Sequence, residues 1–103
     1  MKKVLSQGDI IRIEGIKNPV YVASKDFFNS SGLIVGCPVF ETDISTESPL
    51  HILIETDTMR GKIQCEKLRT LDISIRGYKR ISSVSVSERI NISDAIQGIF
   101  DYV

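Results

Sequence analysis

Up to Val86 the apolar residues of this 103-residue chain fall in short alternating or continuous runs broken by turn residues, and beyond it they recur at three- and four-residue steps. A period near 2 belongs to half-buried strands and a period near 3.6 to a helix with one apolar face. The pattern therefore predicts a mainly β domain that ends in a single long helix.

The strand readings are Asp9 to Glu14, Pro19 to Ser24, Gly32 to Phe40, Leu50 to Glu55, Lys62 to Leu71 and Lys79 to Val86. Gly15 to Asn18 reads as a turn, Lys25 to Ser31 as a loop or one helical turn, and Thr42 to Pro49 as a polar loop. Pro19 opens its strand, where a missing N–H does least harm. Gly32 to Phe40 is nearly continuous in apolar residues, as expected of a central strand buried on both faces. In the tail, Ile92, Ala95, Ile96, Ile99, Phe100 and Val103 form one helical stripe. Ser87 or Ser93, each followed by an acidic residue, is its expected N-cap.

With 42% hydrophobic and 25% charged residues and only 7 Gly and 3 Pro, the composition is that of an ordinary globular domain. A single domain over residues 1–103 is expected. A chain of this size buries about two-thirds of its unfolded surface, so a second subunit is expected to complete any large functional surface. No apolar run reaches the roughly 18 residues that cross a bilayer, and the first residues lack a signal-peptide core. These features predict a soluble, cytoplasmic protein without membrane association. Cys37 and Cys65 lack metal-ligand spacing and read as reduced core residues. Neither a metal site nor a cofactor is expected.

Thirteen basic and thirteen acidic side chains cancel, which excludes an overall basic nucleic-acid coat protein. Their distribution is uneven. Residues 60–80 hold seven basic side chains and two carboxylates, whereas residues 41–58 hold five carboxylates and no base. A basic face beside an acidic loop suits a polyanion or an acidic partner, as well as a plain solvated surface.

The ordered set GDIIRI, NPVYVASKDFFN, GLIVGCPVF, RGKIQCEKLRTLD and RGYKRI resembles the MazF/PemK toxins of type II toxin–antitoxin systems across residues 7–82. The resemblance implies an SH3-like small β-barrel and a homodimer. It further implies an endoribonuclease that cleaves single-stranded mRNA without a metal until the acidic or amphipathic C-terminal segment of a cognate antitoxin fills the groove.

Such cleavage needs a base for the 2′-OH, donors for the phosphorane oxygens and an acid for the leaving 5′-oxygen. The resemblance places the family acid at Glu66, and Asn18 and Gln64 stand where the family carries arginines. Its RNA-touching hydroxyl pair corresponds to Phe40 and Glu41. His51, the sole histidine, occupies a groove-lining aromatic position, and its side-chain type can supply a proton acid or base near neutral pH. The candidate catalytic set is thus Glu66, His51 and Gln64, and the candidate RNA contacts are Arg60, Lys62, Lys67, Arg69, Phe40, Glu41 and Asn18. If Lys62 to Leu71 is one strand, alternation puts Glu66 and Gln64 on one face and Lys67 on the other. Tyr21 is expected in the core, and Asp72 as a cap or turn residue after its strand. Arg69 reads equally as a structural donor to carboxylates or carbonyls.

A competing resemblance covers only the tail. NISDAIQGIFDYV is similar to the end of CcdB, a gyrase-poisoning toxin with the same barrel, although Asp101, Tyr102 and Val103 differ from its terminal residues. The alternatives to an endoribonuclease are therefore a DNA gyrase poison and a barrel that binds RNA or antitoxin without turnover.

Overall fold

The computed structural model describes residues 4–40 and 50–100. The elements are β1 (Asp9–Ile13), β2 (Val20–Val22), α1 (Asp26–Asn29), β3 (Leu33–Phe40), β4 (His51–Glu55), β5 (Arg60–Gln64), β6 (Arg69–Asp72), β7 (Tyr78–Ser83) and α2 (Val86–Phe100). The expected loop Thr42–Pro49, together with Glu41, lies outside the described residues, as does the chain after Phe100.

Among the described residues all strand pairs are antiparallel, in the order β4-β5-β3-β2-β1-β7, with β6 also on β3. The sheet curls into a half-barrel followed by a C-terminal helix, in keeping with the expected SH3-like small β-barrel. Its central strands are buried on both faces. Ile10 and Tyr21 join a core with Cys37, Val39, Ile54, Ile63 and Cys65, while Ile11, Val20 and Val22 face a second cluster with Leu5, Ile34 and Ile73. Burial of both faces explains why these strands read as apolar runs without alternation. Tyr21 lies in the core, as expected, only 1% exposed.

The open edge of β7 is closed by hydroxyls. Thr58 Oγ1 donates to the Ile81 carbonyl at 3.1 Å, and Ser82 Oγ donates to Thr56 Oγ1 at 2.6 Å. A register shift between Ile10 and Ile11 leaves Ile81 unpaired with β1. Such irregularity and side-chain cover both protect a strand edge from pairing with another chain.

The expectation of one strand over Lys62 to Leu71 is corrected. β5 and β6 run along the same edge of β3 but in different registers, Val39 facing Ile63 and Gly36 facing Arg69. Had the first register continued, Gly36 would have faced Glu66, so the chain makes a three-residue excursion between the two strands. Cys65 and Glu66 form a turn there.

The helix start is corrected as well. Ser85 is the cap, rather than Ser87 or Ser93: the Glu88 N–H donates to Ser85 Oγ at 3.1 Å and the Ser85 N–H to Glu88 Oε1 at 3.0 Å. This reciprocal pair is a capping box. Of the predicted stripe, Ile92 is fully buried and Ala95 and Ile96 pack against the core, but Ile99 and Phe100 are exposed.

Candidate functional site

β4 and β5 pair so that His51 and Gln64 are cross-strand partners, and the turn after β5 brings Glu66 back beside both. His51 Nε2 lies 3.1 Å from Glu66 Oε2. Gln64 Nε2 lies 3.5 Å from each of the same two atoms. A protonated Nε2 donates to Glu66 and an unprotonated one accepts from the Gln64 amide, and the shorter contact favours donation to the carboxylate. Gln64 then braces the carboxylate from the other side.

The His51 side chain is 11% exposed and that of Glu66 35%, so the ring is held by its surroundings while the carboxylate remains open to a ligand. Desolvation pushes the Glu66 carboxyl up. The hydrogen bond with His51, a bond from its own backbone N–H and the charges of His51 and Lys67 outweigh it, and the group lies below its ordinary value. It is therefore a carboxylate at neutral pH.

Because Glu66 and Lys67 leave the sheet in a turn, the strand alternation expected for them does not apply. A groove of about 270 Å³ opens next to the turn. Asn18, Phe40, Gln64, Lys67 and Arg69, five of the candidate residues, line it over a floor that includes Pro38 and Leu71. Lys17 lines it too and was absent from the sequence-derived set. Its place in the β1–β2 turn carries no motif, and only the fold brings that turn to the β6 side.

Arg60 does not join this cluster. It faces Glu55 at the opposite end of the β4–β5 pair, about 13 Å from Gln64 at strand rise. Lys62 sits between them, across from Phe40 and Leu53. Glu41 lies outside the described residues. Asp72 turns the chain after β6 by accepting from the Ser74 N–H at 2.9 Å.

Both cysteines are buried and free, as expected. Burial pushes the Cys37 thiol up to about 12 and that of Cys65 up to about 11, which disqualifies them as nucleophiles.

A family model described as PemK-like, MazF-like toxin of type II toxin–antitoxin system matches residues 7–100. The chain belongs to the PemK/MazF toxin family. Solved structures agree on the fold. A MazE–MazF crystal structure (Form-II) from Deinococcus radiodurans matches at TM-score 0.85 and 17% identity, covering 99% of this chain and 100% of that one. An endoribonuclease from Mycobacterial species matches at TM-score 0.80 and 16% identity, over 95% and 92% of the two chains. A second such structure, an endoribonuclease in complex with its cognate antitoxin from Mycobacterial species, matches at TM-score 0.79 and 16% identity, over 93% and 94%. No curated protein matches the sequence.

Membership of the PemK/MazF family carries a toxin role in a type II system, and with it an antitoxin partner. It does not favour the gyrase-poison alternative, whose distinguishing positions, Asp101 to Val103, lie outside the described residues. Among the described residues no helix is long and apolar enough to cross a membrane.

Proposed function

We propose that this PemK/MazF-family toxin is a metal-independent endoribonuclease that cuts single-stranded mRNA in the cytoplasm, acting as a homodimer. The observation that carries the reading is the contact of His51 Nε2 with Glu66 Oε2 at 3.1 Å beside the groove. A carboxylate and an imidazole in contact can divide the two proton transfers of RNA transesterification between them.

Glu66 takes the proton of a ribose 2′-OH, and the 2′-oxygen attacks the adjacent phosphorus. The bond from phosphorus to the 5′-oxygen then breaks, and imidazolium His51 gives that oxygen its Nε2 proton. Return of the proton from Glu66 to His51 along their hydrogen bond restores the pair. The products are a 2′,3′-cyclic phosphate and a 5′-hydroxyl. Lys17, Lys67 and Arg69 supply cations at the groove, and Phe40 offers a face for an unpaired base. Losing one phosphorane donor typically costs about a hundredfold or more in rate, so Asn18 and Gln64 in place of arginines make turnover slow. The antitoxin's acidic or amphipathic C-terminal segment competes for the same cations.

The test is incubation of a long defined RNA with purified protein in EDTA, with mapping of the fragment ends, beside a gyrase supercoiling assay. Fragments with 5′-hydroxyl and cyclic phosphate ends support the reading. Intact RNA with inhibited gyrase contradicts it, and intact but bound RNA identifies a module without turnover.

A further inference from the structure

We infer that Pro38 is a positioning residue of the His51–Glu66 site: lacking an N–H at the one rung where β3 would continue its ladder with β5, it turns the chain out of the sheet and carries Glu66 to His51. The catalytic consequence rests on the endoribonuclease reading, whereas the positioning itself is measurable without RNA.

Hydrogen-bond directions along β3 fix which residues face which neighbour. The Ala23 N–H donates to the Val35 carbonyl at 2.8 Å, and the Val39 N–H to the Pro19 carbonyl at 2.9 Å. Val35, Cys37 and Val39 therefore direct their backbone groups towards β2. By the alternation of an antiparallel ladder, Gly36, Pro38 and Phe40 direct theirs towards β5 and β6. Phe40 pairs there with Lys62 and Gly36 with Arg69. Pro38 lies between them with no proton to give.

Continuing the β5 register would put Gln64 opposite Pro38. The Gln64 carbonyl does face β3, because the next N–H, that of Cys65, points the other way and donates to the Leu50 carbonyl at 2.9 Å. A carbonyl denied a ladder partner must find another donor or lose about a hydrogen bond's worth of stability. Here the Lys67 N–H supplies it at 3.2 Å. That bond closes the turn over Cys65 and Glu66. Cys65 becomes fully buried, and Glu66 is left on the outside against His51. The chain regains β3 at Arg69, three residues out of register, and the gap it leaves is part of the groove lined by Pro38, Gln64 and Lys67.

The experiment compares wild type with Pro38→Ala and with a semisynthetic chain carrying lactic acid at position 38, an alanine equivalent whose N–H is replaced by an ester oxygen. The primary readout is the NMR titration of the Glu66 carboxyl, which lies below its ordinary value in contact with His51. In Pro38→Ala the new N–H competes with that of Lys67 for the Gln64 carbonyl, and the Glu66 titration moves up towards the ordinary carboxylate value. In the lactic acid chain it stays where wild type has it. With RNA, the alanine variant loses about a hundredfold in kcat, the scale of a small misplacement of a reacting group, with a much smaller change in KM. If the alanine chain fails to fold while the lactic acid chain folds with the wild-type titration, the N–H is again what the position excludes. A wild-type Glu66 titration in Pro38→Ala, or a lactic acid chain shifted like the alanine variant, overturns the inference. Wild type that leaves RNA intact while the Glu66 shifts behave as described overturns the endoribonuclease reading alone.

Discussion

Glu88, in the first turn of α2, accepts the backbone N–H of Glu55 at 2.8 Å, so one carboxylate both caps the helix and ties it to the end of β4. The two residues are 33 positions apart, and the contact sets where α2 lies on the barrel. Thr56 and Thr58, which bond to β7, lie one and three residues after Glu55.

Glu88→Ala removes the capping partner and leaves the Glu55 N–H without its acceptor. The expected loss is about 1–2 kcal/mol of unfolding free energy, the usual scale of a lost cap. Desolvation raises the Glu88 carboxyl, but bonds from the Glu55 and Ser85 backbone and the Ser85 hydroxyl outweigh it and hold the group below its ordinary value. A depressed carboxyl contributes stability that is present above its unfolded pKa and is lost as pH falls through the folded one. Urea unfolding should therefore show the gap between wild type and Glu88→Ala narrowing below about pH 4.5, the group's ordinary value.

The cysteines should resist alkylation in the native protein. With thiols raised to about 12 and about 11 by burial, Cys37 and Cys65 have almost no thiolate at neutral pH. Iodoacetamide labelling followed by mass spectrometry should report unmodified native protein and two modified sites in denaturant. Rapid labelling at pH 7 without denaturant would contradict the burial described here.

Arg69→Ala and Arg60→Ala should separate the groove from the general basic face. Arg69 lines the groove and Arg60 does not. Loss of one phosphate contact lowers the salt slope of single-strand binding by about 0.7. Fluorescence titration of a short RNA at several salt concentrations should show that change for Arg69→Ala and none for Arg60→Ala.

Gly61→Ala tests the close approach of β3 and β5 under Phe40. A Cβ there would lie 2.5 Å from the Phe40 carbonyl oxygen, so backbone must shift. Overpacking of this kind costs about 1–3 kcal/mol. Thermal melts should report the loss, and RNA affinity should fall because Phe40 lines the groove.

Most strands along the chain and the terminal helix are legible because burial of one or both sheet faces leaves a direct trace in residue period. The break between β5 and β6 left none. Ile63 and Cys65 are buried, so the alternation of a strand persists into a turn that interrupts it. Only Pro38 on the neighbouring strand betrays the break, and reading it requires the register. Ser85 to Glu88 carries the three-residue spacing of a capping box, but Ser87 and Ser93, each directly before an acid, carry a competing signal. The resemblance picks out Glu66, His51 and Gln64 one by one. Their mutual contact depends on β4–β5 pairing and on the excursion after β5, neither of which is local in sequence. Lys17 was missed for the same reason.

The claim that His51 and Glu66 handle the protons is tested most directly by single-turnover cleavage of a defined RNA in EDTA by wild type, Glu66→Gln and His51→Ala, with folding of each checked by circular dichroism. General acid–base groups contribute typically about 10²–10⁴-fold. Losses of that order are expected for each variant, with a double variant little worse than either single one because the two act as a unit. Undiminished cleavage in both single variants would contradict it.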